Sequence, residues 1–217
     1  MGTLEQGLFG GFSGKVGNVV GVCRQGVYYV RSLPVKVNDP KTEKQVKQRG
    51  KFAVVMDFLK AITPFVRVGF QFQAEGAKSA FNAAMSYNIR HGVKSGKEGV
   101  ELDWPNVLIS RGSLGGAREV HVEIAQGELR VGWDSRSKGN ARGDDVAMIL
   151  AYNSVKQQPV YDLNASKRAT GIAAVLLPRG WEGDTIETFL AFKTADGIEV
   201  SDSIYLGRYV VSPGSFI

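Results

Sequence analysis

Residues 7–49 read GLFGGFSGKVGNVVGVCRQGVYYVRSLPVKVNDPKTEKQVKQR, and this stretch changes character twice. Its first part is rich in glycine, which weakens regular structure and permits positive φ, so we expect a loop or an irregular, bulged strand. Valine and tyrosine follow, and these residue types favour strands. The sequence therefore predicts a β-arm with short strands at residues 19–24 and 27–32, joined by a turn at Gln25-Gly26.

A helix is expected where the stretch becomes polar and basic. Asn38-Asp39-Pro40 predicts a turn, Thr42 an N-cap, and Gln45 completes a capping box. The apolar residues that follow recur at helical spacing and predict one buried face: Phe52, Val55, Met56, Leu59 and Ile62. Two further helical segments are expected, one over residues 65–72 after a Thr63-Pro64 start and one over residues 76–90.

Beyond residue 97 the pattern becomes that of short strands separated by turn residues. The expected strands are residues 106–111, 118–125, 128–133, 145–152, 169–177, 185–193 and 198–206. Seven strands at this spacing favour an antiparallel β-sandwich of fibronectin type III or immunoglobulin kind, with Trp133 as a buried core aromatic. The chain has one cysteine, Cys23, so no internal disulfide can form.

Together these patterns predict an α+β protein in two domains. A basic N-terminal domain, residues 1–97, would contain a glycine-rich β-hairpin and two or three helices. A β-sandwich domain, residues 98–217, would follow a polar, glycine-containing linker over residues 91–99. No apolar run reaches the length that spans a bilayer, so we expect no membrane association.

The net charge of +6 is unevenly distributed. Residues 1–100 hold 15 Lys and Arg against 6 Asp and Glu, whereas residues 101–217 hold 12 against 15. A basic half and a mildly acidic half suggest different partners, although a solvated helix face would leave the same imbalance.

Phosphate-binding motifs do not fit the glycine-rich segment. The Walker pattern needs Ser or Thr after Gly-Lys, but Val16 follows Gly14-Lys15, and Phe9 replaces the first glycine. The dinucleotide pattern fails as well, because no glycine stands two residues before Gly14. We therefore expect no cofactor.

A contact surface is the main candidate site. Arginines beside tyrosines suit base stacking and phosphate contact, and a basic helix face would extend such a surface. The alternative is that the tyrosines pack in a small sheet whose basic residues protect its edge. The candidate residues are Arg24, Tyr28, Tyr29, Arg31, Lys36, Lys41, Lys44, Lys47, Arg49 and Lys51.

The sequence gives little indication of metal binding or catalysis. His91, His121 and Cys23 are far apart in sequence, so a transition-metal site is not expected. Asp144, Asp145 and Asp184 would form a weak calcium site only if they met at one end of the sandwich. Neither a nucleophile elbow nor a serine beside a histidine is present, and we expect no enzymatic activity.

Several segments carry a family resemblance. GGFSGKVGNVVG, VYYVRSLP and DPKTEKQVKQRGKF, with LDWPNVLISRGSL, LRVGWD, DDVAMILAYN and FLAFKTADGIEVSDSIYLG, resemble a bacterial family known as domain of unknown function 6266. The resemblance implies no activity or catalytic residues. Separately, the motif P-x-T-x-x-Q-x-x-x-R, from Pro40 to Arg49, is similar to one in phage structural proteins.

Two functions fit these observations. The first is a non-enzymatic structural or interaction protein, such as an assembly or virion component, that docks on a protein partner or on itself through its N-terminal arm. The alternative is a nucleic-acid-associated protein that contacts phosphates through its basic half. The expected location is the cytoplasm, or the virion if the protein derives from a phage.

Overall fold

The computed structural model describes residues 3–4, 10–24, 26–33, 39–74, 78–96 and 99–212. The chain forms two compact units, Met1–Thr42 and Glu43–Ile217. Its fold class is α+β, as the sequence predicts, with three helices and several antiparallel sheets. None of the described helices is long and apolar enough to cross a membrane.

The helices of the described residues all belong to the second unit. They are α1 (Glu43–Ala61), α2 (Thr63–Gly69) and α3 (Ala80–His91). The four short 3-10 segments are Gln71–Gln73, Trp104–Asn106, Arg168–Thr170 and Arg179–Trp181.

The strands fall into four sheets. In chain order they are β1 (Thr3–Leu4), β2 (Phe12–Val16), β3 (Val19–Arg24), β4 (Val27–Ser32), β5 (Val93–Gly96), β6 (Gly99–Leu102), β7 (His121–Ala125), β8 (Glu128–Gly132), β9 (Val146–Asn153), β10 (Gln158–Lys167), β11 (Ile172–Leu176), β12 (Thr185–Lys193) and β13 (Ile204–Val210). The sheet orders are β1-β2-β3-β4, β10-β9-β12-β13, β11-β8-β7 and β5-β6.

The N-terminal unit is a small antiparallel meander. Both strands predicted here, at residues 19–24 and 27–32, are confirmed. A turn with Gly17 at φ 59 joins β2 to β3. Aromatic rings lie over glycines: a Cβ on Gly11 would come 2.0 Å from Tyr28 Cδ1, and one on Gly21 would come 2.3 Å from the Phe12 carbonyl oxygen. Glycine is therefore needed at positions 11 and 21 because nothing larger fits beneath these residues.

The second unit is built around β9 and β12, whose residues are buried almost without interruption. Successive side chains of a strand point to opposite faces, so a strand buried on both faces reads as a continuous apolar run. In β9, Ala147, Ile149 and Ala151 pack with residues of the three-stranded sheet, whereas Met148, Leu150 and Tyr152 pack with the helices. The sheet β10-β9-β12-β13 thus has a hydrophobic core on each face.

The helices cover one face of this sheet. Phe58 and Leu59 of α1, Phe65 of α2 and Ala84 of α3 share a core with Phe189 of β12. The domain boundary predicted between residues 97 and 98 lies outside the described residues. The described segments before and after it contribute to this same core, so we describe the helices and sheets as one unit.

A buried asparagine attaches α3 to the chain that follows it. Asn88 Nδ2 donates to the carbonyl oxygens of Ala84 at 3.0 Å and Leu108 at 2.8 Å, and its Oδ1 accepts from the Leu108 amide at 3.0 Å. Gly92 allows this approach, since a Cβ there would come 2.8 Å from Asn88 Oδ1. The segment from Val107 to Arg111 belongs to no strand, so the strand predicted at residues 106–111 is wrong.

Other predictions need correction. Residues 91–99, predicted as a linker, contribute β5 and the start of the hairpin with β6. β10 was not predicted, and the last predicted strand, residues 198–206, begins only at Ile204. Thr63 is the first residue of α2 rather than its N-cap, and its Oγ1 donates to the Lys60 carbonyl oxygen at 2.8 Å. Phe52, predicted to be buried, is 48% exposed, and Phe58 is buried instead.

Candidate partner-binding surface

The N-terminal sheet carries its basic side chains on one face. Directly opposed residues of paired strands share a face. Arg31 opposes Val20, Tyr29 opposes Val22 and Arg24 opposes Val27. Lys15 of β2 also opposes Val20 and lies on the same side. We call Lys15, Arg24, Tyr29 and Arg31 the basic face.

Tyr28 lies on the other face of the sheet. It opposes Cys23, and its ring covers Gly11. The structure therefore places Tyr29, but not Tyr28, on the face that holds Arg24 and Arg31.

β4 is the terminal strand in the order of this sheet, and all six of its residues are exposed. Val27 is 64% exposed and Val30 is 58% exposed. Among residues 10–24 and 26–33, Gly21 alone is buried, so the described part of the sheet has no buried apolar side chain. An exposed terminal strand with apolar side chains on both faces is a surface to which a further strand can add.

The remaining candidate residues lie before and within α1. Lys41, at φ 46, precedes the helix, and Lys36 lies outside the described residues. Lys44, Lys47 and Lys51 follow three- and four-residue spacing, which places them along one side of α1. Lys44 and Lys47 are exposed, Lys51 is half-buried, and Arg49 is exposed but makes contacts of its own. Residues before Glu43 belong to the first unit and the others to the second.

A protein-family model matches residues 11–207. The chain belongs to the family of unknown function DUF6266. This confirms the resemblance seen in the sequence, while the similarity of the short motif to phage structural proteins stays a prediction. The matched range starts just before β2 and ends within β13, so β2, β3 and β4 of the N-terminal sheet lie within the match and β1 precedes it. A comparison with curated proteins finds no match.

The histidines and the cysteine of this DUF6266 chain lie on different elements. His91 ends α3 with its ring 4.8 Å from that of Tyr87, and His121 begins β7 with its ring over Gly132. Cys23 is exposed on β3. Within the described residues, no three side chains of the metal-ligating types come together.

The three aspartates considered for calcium do not meet. β9 and β12 are antiparallel, and Asp145 precedes the first while Asp184 precedes the second. The two carboxylates therefore lie at opposite ends of the sheet. Asp184 Oδ2 accepts from Asn153 Nδ2 at 2.7 Å and pairs with the Lys156 ammonium group at 2.5 Å; these contacts lower the pKa of Asp184.

Asp145 belongs instead to a buried ion pair that the sequence did not predict. Its Oδ2 accepts from Arg168 Nε at 2.9 Å, and both side chains are almost fully buried. The Arg168 guanidinium also donates to the carbonyl oxygens of Gly115 and Gly116 and lies 3.7 Å from the ring centre of Phe192. Burial lowers the pKa of Arg168, and the Asp145 carboxylate opposes that shift.

A second network surrounds Glu187, which is fully buried on β12. Its carboxylate accepts from Tyr205 Oη at 2.6 Å and from Arg208 Nε at 2.7 Å. Burial, and then the bond to Glu187, raise the pKa of the Tyr205 hydroxyl. Glu187 thus has a partner on each oxygen, which suits a structural role. A charged residue inside an apolar run, as in TIETFLAF, is the signal that could have identified it.

A concavity of about 460 Å³ lies beside α1, β6 and the sheet, and Phe58, Trp104 and Tyr152 line it. The ring centres of Phe58 and Tyr152 are 4.9 Å apart, and those of Trp104 and Tyr152 are 5.7 Å apart. These rings contact one another, so they form a wall rather than an open aromatic cage.

Proposed function

We propose that this DUF6266 protein is a non-enzymatic structural or interaction protein that assembles through its N-terminal sheet. The observation that carries the proposal is the exposed edge strand β4 in a sheet that buries no apolar side chain over residues 10–24 and 26–33. A sheet of this size needs a hydrophobic face packed on something else to be stable. A partner surface would supply that packing.

We further propose that the occupant is a neighbouring copy of the same chain. The described strands of the N-terminal sheet carry Lys15, Arg24 and Arg31 and no carboxylate, whereas residues 101–217 hold 12 Lys and Arg against 15 Asp and Glu. The positive charge of the arm and the net negative charge of residues 101–217 are complementary, which favours docking of the arm of one copy on that part of another. Strand addition at an open sheet edge would supply backbone hydrogen bonds as well.

The second unit suits a scaffold of this kind. We propose that β7–β13 form a sandwich of fibronectin type III type. Supporting this, the first, second and fifth of these strands make one sheet, and the other four make the second. The helices that cover the outer face of the four-stranded sheet are an addition to that architecture. Sandwich modules serve many interaction roles, so the fold supports the function by analogy alone.

The oligomeric state tests the proposal. Size-exclusion chromatography with light scattering should give an assembly for the full chain and a monomer for a chain lacking residues 1–37. Val30→Lys should weaken assembly, because a charge on an exposed edge opposes pairing. Val155→Lys, at another exposed valine in the second unit, is the matched control and should leave assembly intact.

A monomeric full chain across the micromolar range would overturn self-assembly. If the full chain is monomeric but binds a different protein through β4, the partner at β4 is that protein and not a second copy. Equal loss of assembly in both valine variants would exclude β4 as the contact.

Nucleic-acid association is the second candidate. The favouring observation is that all residues from Glu43 to Arg49 are exposed, with Lys44 and Lys47 on one side. A mobility-shift assay with a single-stranded oligonucleotide should show binding at low salt that weakens steeply at moderate salt. Replacing Lys44, Lys47 and Lys51 by glutamine should reduce that binding. Absence of a shift at low salt would exclude this function.

A further inference from the structure

Outside the N-terminal sheet, the second unit gathers cations around one cavity. This cavity of about 240 Å³ lies along α3, and Lys78, Arg90, His91 and Arg111 line it. No carboxylate of the described residues lines it. Ser86 and Tyr87 add hydroxyl groups to its wall. We call it the α3 cavity.

The spacing along α3 produces one wall of the cavity. Ala83, Tyr87, Arg90 and His91 follow three- and four-residue intervals, and Ser86 precedes Arg90 by one turn. Ala83 and Ser86 are small and leave room between the larger side chains. Tyr87 and His91, one turn apart, have ring centres 4.8 Å apart.

The fold brings Arg111 to the same cavity. Asn88 holds Leu108 against α3 through two hydrogen bonds, and three residues later the Arg111 amide donates to the Gly69 carbonyl oxygen at 2.8 Å. The Arg111 guanidinium carbon then lies 5.0 Å from the ring centre of Tyr87. Backbone contacts thus place an arginine beside Tyr87 of α3.

The lysine and the two arginines of the cavity have no carboxylate within ion-pair distance in the described part of the chain. Lys78, Arg90 and Arg111 each form no ion pair there. Elsewhere in the described part of the unit, seven ion pairs join a lysine or arginine to a carboxylate. Like charges around one concavity repel each other and create a positive potential that attracts anions. An anion would remove that repulsion.

We propose that the α3 cavity binds an oxyanion of the phosphate class. Arginine donates paired N–H groups that match the oxygens of phosphate, and lysine adds a point charge. The volume is below that of a typical drug-sized site, so it suits a free phosphate or the phosphoryl end of a larger molecule. Arg90 and Arg111 bind the oxygens, and the Ser86 hydroxyl donates a further hydrogen bond.

Isothermal titration of the full chain with inorganic phosphate, at constant low ionic strength, tests the site. Binding should saturate, and chloride at the same ionic strength should not replace it. Arg111→Gln and Arg90→Gln should each raise the Kd about tenfold, since a hydrogen bond to a charged group is lost. Arg179→Gln removes an exposed arginine from another part of the unit and should leave the Kd unchanged.

A second arm identifies the source of the phosphate. If a single-stranded oligonucleotide competes with phosphate for wild-type protein but not for Arg111→Gln, the site takes phosphodiesters. If it does not compete, the site takes free phosphate or small phosphorylated molecules. Phosphate binding that fails to saturate, or that Arg179→Gln weakens as much as Arg111→Gln, would overturn the site. The oligomeric state of the arm variants is measured separately, so the two proposals fail independently.

Discussion

The N-terminal sheet and the central sheet of the second unit are both four-stranded and antiparallel, yet they are stabilised in different ways. β9 and β12 bury side chains on both faces, against helices on one side and a second sheet on the other. Over residues 10–24 and 26–33 the N-terminal sheet buries no side chain, and the rings of Phe12 and Tyr28 lie over glycines. Hydrogen bonding within a sheet contributes modestly to stability, so burial determines which sheet is stable alone.

The largest expected contrast concerns an aromatic residue in each sheet. Phe192→Ala removes a fully buried ring that contacts Trp133 and Arg168, and should lower the free energy of unfolding by about 3–5 kcal/mol. Tyr29→Ala removes a ring that is 45% exposed and should change the free energy of unfolding by at most about 0.5 kcal/mol. Urea unfolding followed by circular dichroism measures both. A larger effect for Tyr29 would reverse the comparison.

A charged residue in each region gives the next contrast. Arg168→Leu leaves the Asp145 carboxylate buried without its partner and should cost about 3 kcal/mol. Arg31→Leu, on the exposed face of β4, should have little effect on the same unfolding transition. The double variant Arg168→Leu/Asp145→Leu should recover much of the loss. If the double variant is less stable than Arg168→Leu alone, the cost does not come from the unpaired carboxylate.

Substitution of a tightly packed glycine should also have different effects in the two regions. A Cβ at Gly69 would lie 2.4 Å from the Ile109 carbonyl oxygen, so Gly69→Ala should destabilise the second unit by about 1–3 kcal/mol. In Gly21→Ala the added Cβ would lie 2.3 Å from the Phe12 carbonyl oxygen, so this variant should open the N-terminal sheet only. Limited proteolysis should then cut Gly21→Ala within residues 1–42 while the main unfolding transition stays unchanged. Protection of that segment in the variant would contradict the expected opening.

The smallest effect is a dependence on pH. Asp184 has a lowered pKa in the folded protein, so its contribution to stability is complete above the ordinary aspartate pKa of about 3.9 and disappears as the pH falls through the lower folded value. Asp184→Asn should therefore differ from wild type at pH 7 and approach it at acidic pH. The described strands of the N-terminal sheet contain no carboxylate, so their proteolytic protection should not follow this titration. A constant difference between the two proteins across the pH range would exclude this linkage.

Local patterns predicted the parts of the fold that depend on local preference. β3 and β4 have the predicted bounds because valine and tyrosine, which favour strands, lie on either side of a turn at Gly26. β5 and β6 were missed because VKSG and GVEL are polar and half-exposed, and tertiary contacts, of β6 with α1 and of β5 with α3, decide their structure. β10 was missed because Pro159 disfavours a strand interior, but it is tolerated in a strand at the sheet edge.

The sites were less predictable than the elements. The basic side chains of the arm were identified from composition, but which tyrosine shares their face depends on the pairing register of β3 and β4. The Asp145–Arg168 pair joins residues that precede and follow two paired strands, which no spacing rule indicates. The α3 cavity needs Arg111 beside Tyr87, a contact that results from the Asn88 bonds to a segment outside any sheet.

Asn88 gives Leu108 the donor and acceptor that a neighbouring strand would otherwise give. The Leu108 amide should therefore exchange with deuterium slowly, although it belongs to no sheet, and its exchange should report the opening of α3. Asn88→Ala should accelerate exchange at Leu108 much more than in β9, as measured by amide exchange NMR. Here one side chain, rather than a backbone ladder, sets the alignment of two segments. A shift of α3 by one residue would therefore leave the Leu108 amide and carbonyl oxygen without the Asn88 side chain that bonds them.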